Sequence, residues 1–238
     1  MAQLGREFDE ERYVVGMHDR GILRFPKGGL MLKSGRVSPY YHNQRGVLSV
    51  SRRLDRAGQM SVQDQFVHIH NTISGYVLRF AEVENEYEHV FGKAQAATAI
   101  AGVASYEAGL SYLWERVRQP GKTYGQHDLL EGDYEPGESV HLADDNVTDG
   151  GSKLEGLSIL KAAELIPVNL TVGFDRDEGA TAAMEIAGLE MNALTTLSRA
   201  VPMLRANGRL SSEHLEALIA YHEGLRAGGL PTTFALTA

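Results

Sequence analysis

The chain lacks cysteine, long apolar runs and a signal peptide, and each absence excludes a class of protein. The sequence contains no cysteine, which excludes disulfide bonds and thiolate metal sites. It has no run of about eighteen apolar residues, so we expect no membrane-spanning helix and no membrane partner. Residues 1–13 are charged and lack the apolar core of a signal peptide. These absences predict a soluble protein of the cytoplasm.

Positive charge is also in short supply. The 238 residues include 23 Lys and Arg against 31 Asp and Glu, which gives a formal net charge of −8. A nucleic-acid surface normally carries a basic patch, so we expect no nucleic-acid partner. A phosphorylated small molecule stays possible, because a few well-placed Lys and Arg residues outweigh the global charge locally. The apolar content of 43% is enough for the core of one large domain.

Hydrophobic periodicity predicts alternating strands and helices. Helical spacing occurs in 66–80 (Phe66, Ile69, Ile73, Tyr76, Phe80), in the Ala-rich stretch 94–108 and in 211–225, where Ser211 or Ser212 can cap the helix. Strands are expected at 87–91, 110–117, from Val140 and at 168–174, with helical patterns dominating afterwards, while 121–138 is polar, Gly-rich and expected to be exposed and mobile. This order predicts an α/β fold whose mostly parallel sheet is flanked by helices, with ligands beyond the carboxyl ends of the strands.

Residues 138–155 carry the strongest functional pattern. A strand containing Val140 and Leu142 ends in two adjacent acids, Asp144 and Asp145. A turn at 148–152 follows, and then a helix with Leu154, Leu157 and Leu160 on one side. Loop amides and a helix N-terminus offer donors to a phosphate, and the carboxylates can take ribose hydroxyls or a metal ion. The segment therefore predicts a sugar-phosphate site.

Two other interpretations of this segment are open on the residues alone. It could be an ordinary strand-to-helix turn, with Asp and Ser as caps and Gly for positive φ. It could also be a calcium loop, because Asp144, Asn146, Thr148, Ser152 and Glu155 fall at the ligand positions of an EF-hand. Against calcium, Asp149 stands where the sharp turn needs Gly, and a strand rather than a helix precedes the loop.

The segment HLADDNVTDGGS (141–152) resembles the phosphoribosyl pyrophosphate (PRPP) signature of type I phosphoribosyltransferases. Three further segments, LMLKSGRVSPYYHN (30–43), RVRQPGKTYG (116–125) and GFDRDEGA (173–180), are similar to segments of orotate phosphoribosyltransferases and occur in the same order. The resemblance covers nearly the whole chain. It implies a single domain, 1–238, in which a small hood (about 1–60, with a possible contribution from 195–238) covers a sheet-and-helix core (about 61–194).

The resemblance also implies an activity. The 5-phosphoribosyl group of PRPP would be transferred to orotate, giving orotidine 5′-monophosphate and pyrophosphate in pyrimidine biosynthesis. Mg²⁺ would be held mainly by PRPP, and a homodimer would share its catalytic loop between subunits. Two alternatives remain: a phosphoribosyltransferase for another nucleobase, and a non-catalytic PRPP-binding regulatory protein on the same fold.

The family's functional residues map onto this sequence position by position. The catalytic candidates are Lys33, Lys122, Asp144 and Asp145. The PRPP-binding candidates are Lys33, Lys93, Arg118, Gln119, Lys122, Tyr124, Asp144, Asp145, Asn146, Val147, Thr148, Asp149, Gly150, Gly151 and Ser152. The orotate-binding candidates are Tyr41, His42, Thr148 and Arg176. Arg176 could meet the orotate carboxylate in bidentate fashion, and the alternative for it is a structural salt bridge with Asp175 or Asp177.

Several of these positions depart from the family pattern. Gln119 replaces a basic residue, Tyr124 stands near a position often held by His, and Asn146 stands at a position that is normally apolar. Tyr41 and His42 replace an aromatic pair that packs on the base; His42 could still stack or could be a partly buried polar residue. The turn at 92–98 lacks a common Gly, for which Lys93 could compensate.

Asp149 is the least expected departure, because it adds a carboxylate to the phosphate cradle. Only its backbone amide need face the phosphate, and a solvent-directed side chain would be screened. We therefore expect Asp149 to point to water and activity to survive.

Overall fold

The computed structural model describes residues 7–32, 35–83, 86–116 and 129–236. The N-terminal region contains α1 (Glu10–Asp19), β1 (Leu23–Arg24), β2 (Leu30–Met31), β3 (Val37–Ser38), β4 (Tyr41–His42) and α2 (Arg52–Arg56). β1 pairs antiparallel with β4, and β2 pairs antiparallel with β3. The predicted hood region thus contains two small sheets that are separate from the main one. The division into hood and core stays a prediction.

The rest of the described chain alternates strands with helices, as the periodicity predicts. Its elements are α3 (Val62–Ala81), β5 (His89–Gly92), α4 (Ala96–Ala108), β6 (Ser111–Glu115), β7 (Leu130–Glu131), β8 (Ser139–Val147), α5 (Gly151–Ala162), β9 (Ile166–Asp175), α6 (Ala180–Ile186), β10 (Glu190–Thr196), α7 (Leu197–Ala206) and α8 (Ser212–Ala227). The main sheet has the order β10-β9-β8-β5-β6-β7, and its neighbours are parallel except β7, which is antiparallel to β6. The predicted α/β class with a mostly parallel sheet is confirmed.

Both faces of this sheet are covered. Val90 and Ala143 pack into a cluster with residues of α1, α3, α4, α7 and α8, whereas their neighbours Phe91 and Leu142 pack into a second cluster with residues of α5 and α6. This alternation follows from the two-residue period of a strand. A sheet buried on both faces presents its functional side chains at the strand ends. Among the described residues, no helix is long and apolar enough to cross a membrane.

The long helices confirm the sequence predictions. α3, α4 and α8 cover the stretches at 66–80, 94–108 and 211–225. Of the two candidate caps of α8, Ser211 is the N-cap, and its side chain accepts a hydrogen bond from the backbone N–H of His214. Phe66 and Leu154, which belong to the apolar positions of the predicted helices, are 46% and 42% exposed.

Two strands of the main sheet were not predicted. β10 lies at 190–196, where helical patterns were expected, and β7 lies within the segment 121–138, which was expected to be irregular. Both are edge strands, and β10 carries polar residues at Asn192, Thr195 and Thr196, which hides the alternation. Residues 121–128 of the polar segment lie outside the described residues.

Candidate active site

The site lies where the neighbouring parallel strands β8 and β9 end. Val147 pairs with Asp175 in the sheet register, and the Arg176 N–H donates to the Val147 carbonyl at 3.1 Å. The loop after β8 and the turn after β9 therefore emerge side by side. The two acids lie within β8 rather than after it, because the strand continues to Val147. We call Asp144 and Asp145 the acid pair and residues 148–152 the phosphate loop.

The phosphate loop leads directly into α5. Gly150 has a φ of 89°, and a Cβ at this position would lie 2.9 Å from Cε of Met184, so only glycine fits. α5 begins at Gly151 without a side-chain cap of the usual kind at Gly150. The amides at a helix N-terminus suit an anion. Thr148 is half-buried on the same loop, and Val147 is buried in the core, so Val147 offers only its backbone.

Asp149 does not behave as predicted. The residue is exposed, but its Oδ1 accepts a hydrogen bond from the backbone N–H of Gly151 at 3.1 Å. Its carboxylate is thus turned into the loop, and the expectation that it points to water was wrong. The physical reason is local: amides at a helix N-terminus attract an acceptor with negative charge, and Asp readily bonds the backbone two residues ahead.

The acid pair is held by a lysine that the sequence analysis missed. Asp144 is buried, its Oδ1 accepts from the backbone N–H of Asp145 at 2.7 Å, and its Oδ2 lies 2.5 Å from Nζ of Lys153. Asn146 donates from Nδ2 to Oδ2 of Asp145 at 3.0 Å. Burial, followed by the neighbouring Asp144, raises the pKa of Asp145 to about 7. The acid pair and Lys153 form one interacting group.

Two buried polar side chains donate hydrogen bonds to the backbone carbonyls of the acid pair. Tyr76 donates its hydroxyl to the Asp144 carbonyl at 2.7 Å, and Gln44 donates from Nε2 to the Asp145 carbonyl at 3.1 Å. Gly173 of β9 leaves room for them, because a Cβ there would lie 2.5 Å from Nε2 of Gln44 and 2.6 Å from the Tyr76 hydroxyl. The sequence predicted Tyr76 only as part of a helical pattern, and it gave no signal for the role of Gln44.

Arg176 is buried in a polar cluster with side chains of the N-terminal region. Its Nε lies 2.9 Å from Oε1 of Glu178, its Nη2 donates to Oγ of Ser38 at 3.1 Å, and its guanidinium lies 4.3 Å from the centre of the Tyr40 ring. The proposed salt bridge with Asp175 or Asp177 was wrong in its partner, which is Glu178. Burial lowers the pKa of Arg176, but Tyr40 and Glu178 outweigh this and raise it above its usual value.

Glu178 gathers further partners from distant parts of the chain. Its Oε2 lies 3.3 Å from Nη2 of Arg36, and the Tyr221 hydroxyl of α8 donates to the same oxygen at 3.2 Å. Asp177 is turned away from Arg176, and its Oδ2 accepts from the backbone N–H of Ser198 at 2.7 Å. Arg176 is thereby tied to the hood and to the C-terminal helix.

Of the two residues of β4 proposed for the base, His42 lies near this cluster. His42 is buried and stacks on Phe174, with ring centres 4.5 Å apart and planes 16° from parallel. Burial, and then the charge of Arg176, lower the pKa of His42 to about 3, so its ring is neutral at physiological pH. Tyr41 is half-buried, and the guanidinium of Arg24 lies 5.0 Å from its ring centre.

Lys93 follows β5 and is engaged by an acid. Its Nζ lies 2.6 Å from Oε2 of Glu115, which also accepts from the backbone N–H of Ala94 at 3.0 Å. Lys93 is therefore anchored at the turn between β5 and α4. Five candidates, Lys33, Arg118, Gln119, Lys122 and Tyr124, lie outside the described residues. Within the described ranges, no group of three or more His, Cys, Asp or Glu residues could hold a metal ion, and the calcium alternative receives no support.

Comparison with known proteins identifies the family. The chain is 31% identical over 216 residues to the orotate phosphoribosyltransferase of Thioalkalivibrio sulfidiphilus, which covers 85% of this chain and 91% of the relative. It is 30% identical over 229 residues to that of Acinetobacter baumannii, which covers 91% and 95%. The chain belongs to the orotate phosphoribosyltransferase family. No protein-family model matches the sequence.

Other matches agree with this family and its fold. The bovine uridine 5′-monophosphate synthase is 25% identical over 203 residues, and the match spans 85% of this chain but only 38% of that relative. Among solved structures, a Leishmania donovani UMP synthase aligns with a TM-score of 0.71 at 24% identity, over 89% of this chain and 41% of that one. An orotate phosphoribosyltransferase of Francisella tularensis aligns with a TM-score of 0.64 at 19% identity, over 89% and 98%.

Proposed function

We propose that this protein transfers the 5-phosphoribosyl group of PRPP to orotate, giving orotidine 5′-monophosphate and pyrophosphate in pyrimidine biosynthesis. One observation carries the proposal: the acid pair with its phosphate loop and the buried Arg176 emerge side by side from the ends of β8 and β9. A ribose phosphate at the first element and an anionic base at the second would be neighbours. Such adjacency is what a reaction between two bound substrates requires.

The reaction requires the protein mainly to position the two substrates and to stabilise the charges that develop on them. A ring nitrogen of orotate loses its proton and forms a bond with the anomeric carbon of PRPP. The bond from that carbon to the pyrophosphate oxygen breaks, and pyrophosphate leaves with the bonding electrons and can take up the proton. Positive charge develops on the sugar in an oxocarbenium-like transition state, beside the acid pair. The phosphate loop, residues 148–152, would hold the 5′-phosphate, and Lys93, Lys33 and the segment 118–124 would receive the pyrophosphate.

Orotate would be recognised at the hood side of the site. Arg176 is the proposed partner of its carboxylate, with Tyr41, His42 and Thr148 near the ring. Glu178, Ser38 and Tyr40 hold the guanidinium in one orientation, which limits the entropy lost when a carboxylate binds. A neutral His42 adds no charge that would compete for the base carboxylate.

Mg²⁺ and a homodimer are further parts of the proposal. The described residues fit a metal ion that arrives with PRPP, because they include two adjacent carboxylates but no cluster that could enclose an ion. When bound, Mg²⁺ would neutralise the departing pyrophosphate. The catalytic loop with Lys122 would come from the neighbouring subunit, as the family resemblance implies. A cytoplasmic location and a single hood-and-core domain also remain proposals.

An absorbance assay for the loss of orotate, with PRPP and Mg²⁺ present, tests the function. Turnover of orotate supports the proposal, and omission of Mg²⁺ should abolish it. Turnover only with another nucleobase would favour the related transferase, because His42 and Tyr41 replace the usual aromatic pair. Measurable PRPP binding without any turnover would favour the regulatory protein, which Gln119 supports.

A further inference from the structure

Lys153 is a buried lysine between the acid pair and the phosphate loop. Its side chain is only 5% exposed, and its Nζ lies 2.5 Å from Oδ2 of Asp144 and 3.0 Å from Oγ of Ser152. One ammonium group therefore contacts both a carboxylate beside the expected ribose and a hydroxyl of the expected phosphate cradle. Neither the sequence motifs nor the proposed mechanism assigns it a role.

The position of Lys153 does not serve the stability of α5. It lies in the first turn of that helix, where the positive end of the helix dipole disfavours a cation. Burying its charge adds a desolvation cost, which only close partners offset. Lys161, in the last turn of the same helix, is exposed and lies where the dipole favours a lysine. Lys153 therefore needs an explanation outside the helix.

The charges around the loop supply that explanation. Asp144, Asp145 and Asp149 place three carboxylates around a site that would have to receive an anionic phosphate. Asp149 in particular already occupies the Gly151 amide. A cation placed between the acid pair and the loop offsets part of this negative charge at the point where the ligand's phosphate and ribose meet.

We propose that Lys153 is a substrate-binding residue, whose ammonium group supplies positive charge to the 5′-phosphate of PRPP and neutralises Asp144 beside the ribose. The inference rests on the proposed function, since it names a further residue of the same site. Its rival is that Lys153 is merely a structural counter-ion of Asp144. In that case its loss lowers stability but does not discriminate between ligands.

Ligands that fill different halves of the site separate these two roles. Ribose 5-phosphate carries the phosphate and the sugar but no pyrophosphate, and inorganic pyrophosphate carries neither sugar nor 5′-phosphate. Isothermal titration of the full chain with each ligand gives both dissociation constants. Lys153→Met, which keeps the length and removes the charge, should weaken ribose 5-phosphate binding about tenfold or more. Pyrophosphate binding should change by less than about twofold.

Lys161→Met is the matched control on the same helix and should leave both constants unchanged. Lys153→Arg keeps the charge and should recover most of the ribose 5-phosphate affinity. If Lys153→Met does not fold, Lys153→Gln takes its place in the same comparison. Undiminished ribose 5-phosphate affinity in the uncharged variant overturns the inference, as does an equal loss for both ligands. Orotate turnover by the unaltered protein tests the proposed function separately, so the two can fail independently.

Discussion

Oδ1 of Asp149 accepts a hydrogen bond from the backbone N–H of Gly151, with 3.1 Å between oxygen and nitrogen, inside the loop that is proposed to hold a phosphate. A phosphate that uses this amide must first displace the side chain. The hydrogen bond is exposed to water, so its net contribution is small, about 0.5–1.5 kcal/mol. The contact therefore weakens ligand binding without closing the site.

Replacing Asp149 should strengthen PRPP binding. Asp149→Ala removes both the competing acceptor and a negative charge, and we expect the dissociation constant of PRPP to fall about threefold to tenfold. Asp149→Asn keeps an acceptor but not the charge and should give an intermediate value. Titration with PRPP measures both. An Asp149→Ala variant that binds PRPP no better than the original would mean that Asp149 leaves the amide at no cost.

The sequence predicted the main elements and the place of the site because these depend on local patterns. The apolar positions of α3 recur at helical spacing, α8 follows a capping serine, and the acid pair followed by Gly150 and Gly151 is a compact local signal. The edge strand β10 escaped prediction because its side chains are partly polar and it has one neighbour in the sheet. Its identity as a strand depends on pairing with β9, which a local window does not contain.

The partners within the site could not be predicted for the same reason. Asp175 and Asp177 flank Arg176 in the sequence, yet Asp177 has a φ of 58° and turns its carboxylate to Ser198. Glu178 then becomes the partner of Arg176 because Arg36 and Tyr221 converge on it from distant segments. Lys153 could have been noticed in the sequence, because a lysine in the first turn of a helix is unfavourable for the helix dipole.

Arg176 should control the affinity for orotate rather than for PRPP. Arg176→Ala should raise the Michaelis constant for orotate at least about tenfold, and that for PRPP far less. Tyr221→Phe removes one donor to Glu178 and should produce a smaller change of the same kind. Steady-state kinetics with each substrate varied in turn measure both, and Arg12→Ala, at an exposed position, is the control. Equal effects on the two constants would refute the assignment of Arg176 to the base.

Lys122 should act on turnover rather than on binding, because its proposed contact with pyrophosphate forms mainly in the transition state. Lys122→Ala should lower kcat by about a hundredfold or more while the dissociation constant of PRPP stays within about threefold. Pre-steady-state rates and PRPP titration on one preparation give both values. A parallel loss of binding and rate would make this segment an ordinary binding element.

Mixed dimers test whether the catalytic loop is shared. At an orotate concentration well below the Michaelis constant, the Lys122→Ala and Arg176→Ala dimers should each have little activity, but a hybrid of the two would contain one site with both residues intact. If the loop crosses the interface, mixing equal amounts after partial unfolding should restore about a quarter of the original activity. Activity that stays at the level of the separate variants would indicate that each subunit closes its own site.

The protein should lose stability as the pH rises through neutrality, partly because of Asp175. Burial, and then the charges of Asp177 and Glu178, raise the pKa of Asp175 to about 7, against 3.8 for an ordinary Asp. The folded state therefore holds this proton more tightly than the unfolded state, so the stabilisation is complete below about pH 4 and is lost as the pH passes about 7. Asp175→Asn stays uncharged and can keep the acceptor for the Asp177 N–H. It should increase the free energy of unfolding by about 4 kcal/mol at pH 8 but by less than about 2 kcal/mol at pH 5. Urea unfolding at both pH values measures this change. Asp55→Asn, at an exposed position, is the control for the loss of one charge. An increase in the free energy of unfolding that is the same at both pH values would show that Asp175 does not titrate in this range.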